Sequence, residues 1–350
     1  MLMSGIASTT KKGSNNPQIT KESLEQLAYD INYGDKAIRL NVEHDLSVLP
    51  IGKILEAHVE KIDTTNYGLW VKIEQFPLVN ITFDNQPCVF LKSSLDNRPL
   101  VSNTIIPNDK FLVQFDPVNF KSFEESQKHL QKLKRKFPAM ESTYTSRNSV
   151  IPDPVLMFHI AEYFIKNLVI CFLCKKTAEQ ITSHIVDKAL QEVDSLYNAI
   201  KKIILSTAPK LIPHNRPVTY LFTTHHNCDI EFVVQTSKPT IAINAIQKEK
   251  LLLALEEIER INACLSNITT LQLIYNISNE KWEFNYLTTD KGEVIGSQRS
   301  FKTSVRKISL LLPESDNNTI PISIGANISN YMPTEKAHEN GDRNIDVSSQ

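Results

Sequence analysis

The sequence predicts an α+β protein of several domains, and three observations carry that reading. The chain has 350 residues, more than the roughly 250–300 at which a single core stops growing. Between residues 48 and 120, apolar residues recur with a period of two and are broken by Asn, Asp and Pro, the pattern of short strands. Beyond residue 150, apolar stripes of helical period alternate with a second set of period-two runs. The expected architecture is a small five-stranded β-barrel, a central helical hairpin, and a C-terminal α+β domain whose sheet is covered by one long helix.

Residues 1–20 hold Lys11 and Lys12 with no acid and no long apolar run, and are expected to be disordered. An amphipathic helical arm follows over 21–47. Leu24, Leu27, Ala28 and Ile31 stand at helical spacing, Thr20 is placed to cap the start, and Gly34 is placed to end the helix. Over 48–120 the pattern predicts strands at 54–62, 68–74, 79–83, 88–91 and 111–115. Residues 121–150 read as a basic helix, 121–136, stopped by Pro138 and followed by a Ser/Thr/Asn-rich linker.

The region 151–212 is expected to be a helical hairpin. Its first arm is the apolar run 155–174, which is about the roughly 20 residues needed to cross a bilayer. The run contains His159, Glu162 and Lys166, and the last two can pair at i, i+4 on a solvated face, so it reads as a buried core helix rather than a membrane span. The second arm opens with the capping box Thr177-Ala-Glu-Gln180 and carries Ala189, Val193, Leu196, Ile200 and Ile203 on one stripe. In the domain 213–312, strands are expected at 218–223, 230–235 and 240–244, then a helix at 248–265. A hairpin 271–277/282–287 around Asn279 and a further strand at 294–299 complete it. The tail 313–350, rich in Asn, Ser and Asp, is expected to be mostly disordered.

Composition narrows function. A net charge of −1 creates no long-range field for an anionic polymer, so any nucleic-acid site has to be a local patch. The chain has nine glycines, well under the usual share of about 7%, and contains neither G-x-G-x-x-G nor G-x-x-x-x-G-K-[ST]. The common phosphate-cradling loops are thereby excluded. Five cysteines, an odd number scattered along the chain, do not form a disulfide framework and point to a reducing, cytoplasmic setting. Cys171-Phe-Leu-Cys174 and His225-His226-Asn227-Cys228 raise a zinc reading. The first pair falls inside an apolar run predicted helical, so both cysteines are expected to be structural, with no metal or cofactor. No arrangement of nucleophile, base and acid stands out, and the chain is expected not to be an enzyme.

The most informative stretch runs from Gly52-Lys-Ile-Leu-Glu-Ala-His-Val59-Glu-Lys-Ile62 to Tyr67-Gly68-Leu69-Trp70-Val71. It continues with Cys88-Val-Phe-Leu91-Lys-Ser93-Ser94-Leu95 and Asn108-Asp-Lys-Phe-Leu-Val-Gln-Phe115-Asp116. In this order the motifs resemble the S1 RNA-binding domain, a five-stranded barrel of the OB-fold type. The resemblance covers 48–120 only and implies single-stranded RNA as ligand. Leu91 stands where many S1 domains carry a base-contacting histidine.

Single-stranded RNA is held by bases stacked on exposed rings, about 1–3 kcal/mol each, with cations tracking the backbone. Tyr67, Trp70 and Phe90 are the candidate rings. Lys61, Lys72 and Lys92 are the neighbouring cations, and Lys128, Lys132, Lys134, Arg135 and Lys136 on the basic helix form a second patch. In the competing reading, Trp70 and Phe90 are core and the lysines only solubilise a sheet. The expected function is non-enzymatic binding of single-stranded RNA within a larger assembly of protein partners. The alternative is a protein-interaction adaptor whose barrel does not bind nucleic acid.

Overall fold

The computed structural model of the chain describes residues 1–11, 19–42, 45–107, 111–138, 140–145, 153–168, 183–311 and 322–324. The first part runs β1 (Leu2–Thr9), α1 (Lys21–Tyr33), β2 (Arg39–Val42), β3 (Gly52–Lys61) and β4 (Tyr67–Gln75). The middle holds β5 (Leu78–Phe83), β6 (Gln86–Leu91), β7 (Phe111–Phe115), α2 (Phe123–Lys136), β8 (Met140–Tyr144), β9 (Val155–Ile160) and a helix α3 at 162–168. The last part begins with α4 (Ser183–Thr207), β10 (Val218–His226), β11 (Cys228–Thr236), α5 (Pro239–Ala245) and α6 (Lys248–Cys264). It ends with β12 (Ile268–Asn276), β13 (Lys281–Thr289), β14 (Val294–Ser297), α7 (Gln298–Leu311) and β15 (Ile322–Ile324).

The architecture is α+β, built on two sheets among the described residues. The smaller has five antiparallel strands in the order β1-β4-β3-β2-β15. Its outer members β1 and β15 approach each other, so the sheet curls into a half-barrel. Helix α1 packs on the inner face, burying Leu24, Leu27, Ala28 and Ile31 against Ile54, Leu69, Val71 and Ile73. Thr20 caps this helix by accepting from the Ser23 N–H, and Gly34 closes it by donating to Asp30 O. A Cβ at Gly34 would stand 2.4 Å from Asp30 O, so the close approach requires glycine.

The larger sheet has ten strands in the order β5-β6-β14-β13-β12-β11-β10-β9-β7-β8. Three neighbouring pairs are parallel, β7–β8, β9–β10 and β11–β12. Each is bridged in sequence by helices, as parallel neighbours require. Helices α2 to α6 all contribute to one core on one face of this sheet, including Leu133, Phe164, Val193, Ile200, Ala242 and Ile258 over Phe158, Phe222, Phe232 and Leu273.

The opposite face joins the two sheets and is inlaid with polar residues. Arg39 from β2 reaches Tyr286 Oη at 3.0 Å and lies 4.0 Å from Glu231 Oε1. Gln272 Nε2 donates to Glu231 Oε2 at 2.7 Å and to Leu46 O at 2.8 Å, while Asn285 donates to Ser47 O at 2.7 Å. Near one end, Lys53 of β3 donates to Asp96 O at 2.7 Å and Arg98 O at 2.9 Å, and burial lowers its pKa to about 8. Gly292, at φ +67, sits beneath that loop, where a Cβ would stand 2.3 Å from Arg98 O.

Several expectations are corrected. The strands of 48–120 do not close on one another: β3 and β4 belong to the small sheet, while β5, β6 and β7 belong to the large one. The reason lies in burial. In β7 every residue is buried, and in β6 Cys88 faces the main core while Val89 and Leu91 face a second cluster. Strands apolar on both faces need cover on both, whereas barrel strands alternate. Pro77, which has no N–H for a ladder, separates β4 from β5.

The run 155–174 opens as the strand β9, with helix only from 162; an unbroken apolar run does not distinguish a buried strand from a buried helix. Of the helical hairpin expected at 151–212, the first arm begins as a strand and is helical at 162–168, residues 169–182 lie outside the described residues, and α4 occupies the second arm. The expected strand 240–244 is the helix α5, which Pro239 starts with its fixed φ. Residues 2–9, expected disordered, pair along β4, and the strand expected at 294–299 gives way to α7 at Gln298. The capping box at 177–180 and Cys171 and Cys174 lie outside the described residues. Among the described residues no helix is long and apolar enough to cross a membrane.

Candidate nucleic-acid interface

The turn between β3 and β4 is built by Asp63. Its carboxylate accepts from the backbone N–H of Thr65 at 2.9 Å and of Asn66 at 2.8 Å, and these bonds hold its pKa down at about 2. The turn delivers Tyr67 and Trp70 three positions apart on one strand. An odd separation sends side chains to opposite faces. Tyr67 turns inward beside the α1 core, with Lys21 Nζ 5.1 Å from its ring centre, and Trp70 turns outward between Ile6 and His58 on the neighbouring strands. Phe90 sits on β6 in the other sheet and packs against the main core. The three rings therefore do not form one stacking platform.

Trp70 is half-buried, and its indole N–H is covered without a hydrogen-bond partner among the described residues. The outer face around it is mixed, with His58 and the Lys72–Glu56 pair on the β3 side and apolar side chains toward β1 and the β3–β4 turn. Ile6 is 43% and Ile62 42% exposed, and both meet over Gly68, where a Cβ would come within 3.1 Å of Ile62 Cδ1.

The lysines of this region are also divided. Lys72 pairs with Glu56 across the β3–β4 ladder at 2.9 Å, and Lys92 pairs with Glu293 at 2.9 Å. Each charge is met locally. Lys61, opposite Tyr67 in the ladder, is exposed.

Helix α2 differs in kind. Ser122 caps it by accepting from the Glu125 N–H, acidic Glu124 and Glu125 lie in its first turn, and Lys134, Arg135 and Lys136 lie in its last, the arrangement that complements the helix dipole. Ser126, His129 and Leu133 face the interior. His129 fixes the helix by a 2.8 Å hydrogen bond between Nε2 and Thr207 Oγ1, and lies against the rings of Phe115 and Phe120. Burial, helped by nearby Lys210 and Lys132, lowers its pKa to about 4, so it stays neutral.

The opposite face of α2 presents Lys128, Gln131, Lys132, Arg135 and Lys136 to solvent. Steps of i, i+4 place Lys128, Lys132 and Lys136 about 6 Å apart along the axis, comparable to the separation of successive phosphates in an extended strand. Among the described residues, Lys128, Lys132, Lys134, Arg135 and Lys136 form no ion pair, whereas nearby Lys210 bridges to Glu125 at 3.3 Å.

Other chemistry is confined. The enclosed apolar cavity lined by Phe164, Tyr197, Phe222, Phe232 and Leu251 holds about 30 Å³, room for a single water and too small for a ligand. Among the described residues no three His, Cys, Asp or Glu side chains are placed to hold a metal. His225 bonds Asp229 at 2.9 Å, His226 bonds Glu259 at 3.3 Å, and burial raises the Cys228 thiol to about 12.

The sequence reading missed the buried cluster of Arg39, Glu231, Gln272, Asn285 and Tyr286. The available signal was a polar residue set directly between two apolar ones in each strand: Glu231 between Ile230 and Phe232 in β11, Gln272 between Leu271 and Leu273 in β12, and Asn285 between Phe284 and Tyr286 in β13. It also missed His159. Nδ1 of this residue accepts from Thr223 Oγ1 at 2.7 Å and from the Ile105 N–H at 3.3 Å, while Nε2–H donates to Gln114 Oε1 at 2.8 Å. Burial lowers its pKa to about 3. Most of these groups bond one another inside the protein, while Arg39 Nε and Nη2 have no hydrogen-bond partner among the described residues. No family model, no curated protein and no solved structure matches this chain.

Proposed function

We propose that the chain is a non-enzymatic protein that binds single-stranded RNA, with the solvent face of α2 as its phosphate-contacting surface. The observation that supports this reading is the set of basic side chains on α2 that form no ion pair among the described residues, Lys128 alone feeling a nearby carboxylate, Glu124, in contrast to Lys72 and Lys92, whose charges are already met. Cations held on one rigid helix attract a polyanion without reading its sequence. Binding is therefore dominated by phosphate contacts, tolerant of sequence and steeply dependent on salt. The S1-like signature contributes β3 and β4 to the curled sheet, and Trp70 is the ring of the original set that faces outward to meet a base.

The test is fluorescence anisotropy with an unstructured oligoribonucleotide over a salt series. Replacing Lys132, Lys134 and Arg135 by Gln removes three phosphate contacts and lowers the log–log salt slope by about 2, at about 0.7 per contact for single strands. Absence of binding by the wild type at low salt, or an unchanged slope in the triple variant, refutes the proposal.

A specific observation supports the adaptor reading. Ile6, Ile62 and Trp70 form an apolar patch on the outer face of the small sheet, a surface better suited to an apolar protein partner than to a polyanion. That reading takes over if RNA binding fails.

A further inference from the structure

The large sheet ends at β5, and that edge has none of the usual protections. From Leu78 to Phe83 the strand reads Leu-Val-Asn-Ile-Thr-Phe, without Lys, Glu, Arg or Pro, and its register with β6 is free of bulges. Exposed edges are normally blunted by these devices, because a row of free backbone groups templates another strand.

The free groups can be assigned. Asp84 and Asn85, at φ 49 and 57, form the two-residue turn that pairs Phe83 with Gln86. That closing pair exchanges backbone bonds, and the alternation then directs Phe83, Ile81 and Val79 toward β6. Pro87, which has no N–H, stands opposite Thr82 at a site that requires none. The N–H and C=O groups of Leu78, Asn80 and Thr82 therefore point outward, and none has a backbone partner among the described residues. On the side-chain side, Ile81 and Phe83 lie against the main core while Val79 is 53% exposed at its margin.

We propose that a second copy of this chain pairs with β5 in antiparallel fashion about a two-fold axis at Asn80, joining two large sheets into one. The strand is complementary to itself in this register. Leu78 meets the partner's Thr82 and Asn80 meets the partner's Asn80, each pair exchanging both backbone bonds through the outward groups. Val79 meets the partner's Ile81 on the face of the main core, so both helix-covered cores continue across the axis. No charge is opposed by its like, because the strand has none. An edge of fixed charge would repel its own copy, and a foreign strand would not require this uncharged symmetry.

Sedimentation velocity on the full chain reads the proposal. The wild type is expected to sediment as a concentration-dependent dimer. Asn80 is exposed and accepts an exposed hydrogen bond from Gln298 Nε2 at 3.2 Å, so Asn80→Lys and Asn80→Asp cost at most that surface contact and leave the circular dichroism spectrum unchanged, and each places like charges at the axis and weakens the dimer by at least about tenfold. Mixing the two variants restores a heterodimer, which only an axis at this residue explains. The proposal is overturned by a wild type that stays monomeric at tens of micromolar, by single variants that dimerise as the wild type does, or by a mixture that does not associate.

Discussion

Replacing Arg39 with Met tests what holds the two sheets together. Arg39 is 1% exposed and Glu231 0% exposed, so neither charge is relieved by solvent. In the wild type the Glu231 carboxylate lies 4.0 Å from Arg39 Nη1 and accepts from Gln272 at 2.7 Å and from the Asn103 N–H at 3.1 Å. Arg39→Met removes the only cation among these contacts and leaves a buried carboxylate held by neutral donors. Loss of one partner from a buried pair costs about 3–5 kcal/mol.

The Arg39 Nε and Nη2 groups make no hydrogen bond among the described residues, so the intact cluster carries its own desolvation penalty. The double variant Arg39→Met/Glu231→Leu removes both charges and returns to within about 1–2 kcal/mol of wild type, as replacement of buried ion pairs by apolar residues often does. The assay is urea unfolding at neutral pH followed by far-UV circular dichroism, with constant m-values as the check on two-state behaviour. A single variant within about 1 kcal/mol of wild type, or two single effects that simply add in the double, refutes the claim that these charges are coupled.

Two further outcomes follow from the structure. His129 and His159 are held neutral, with pKa values of about 4 and about 3, against about 6.5 when unfolded. The unfolded chain binds the extra protons, so their contribution is intact above about 6.5 and is lost as pH falls. Together the two histidines remove up to about 2.7 kcal/mol per pH unit between pH 6 and 5. Urea midpoints across that window measure the slope, and a His159→Gln variant with an unchanged slope contradicts the assignment. On β4, Leu69→Ala empties a fully buried position and costs about 2–5 kcal/mol, while Trp70→Ala on the outer face costs about 1 kcal/mol. Equal losses in thermal or urea unfolding would mean that the outer face is also core.

What the sequence disclosed depended on how local the determining interactions are. Helix α1 was legible because Thr20, Gly34 and the stripe between them act within one element, and the β12–β13 hairpin because its strands adjoin. Helix α5 was missed because Pro239 outweighed the β-branched residues after it. The division of 48–120 between two sheets was not legible, because β6 pairs on its other side with β14, Phe90 standing opposite Ile295. No spacing within 48–120 encodes a neighbour that distant.

The same distinction decides which part of the candidate site survives. The aromatic set required Tyr67, Trp70 and Phe90 to share a surface, and that depends on strand parity and on which sheet β6 joins. Tyr67 and Trp70 part at the first condition and Phe90 at the second. The basic set on α2 required only that residues 123–136 form one helix, capped by Ser122 and anchored by His129 and Leu133. Once those buried positions fix the inner face, a repeat of 3.6 residues leaves Lys128, Lys132, Arg135 and Lys136 on the outer one. A charge pattern confined to one helix can be read from sequence with a confidence that a constellation drawn from several strands cannot match, and the proposed function accordingly rests on α2.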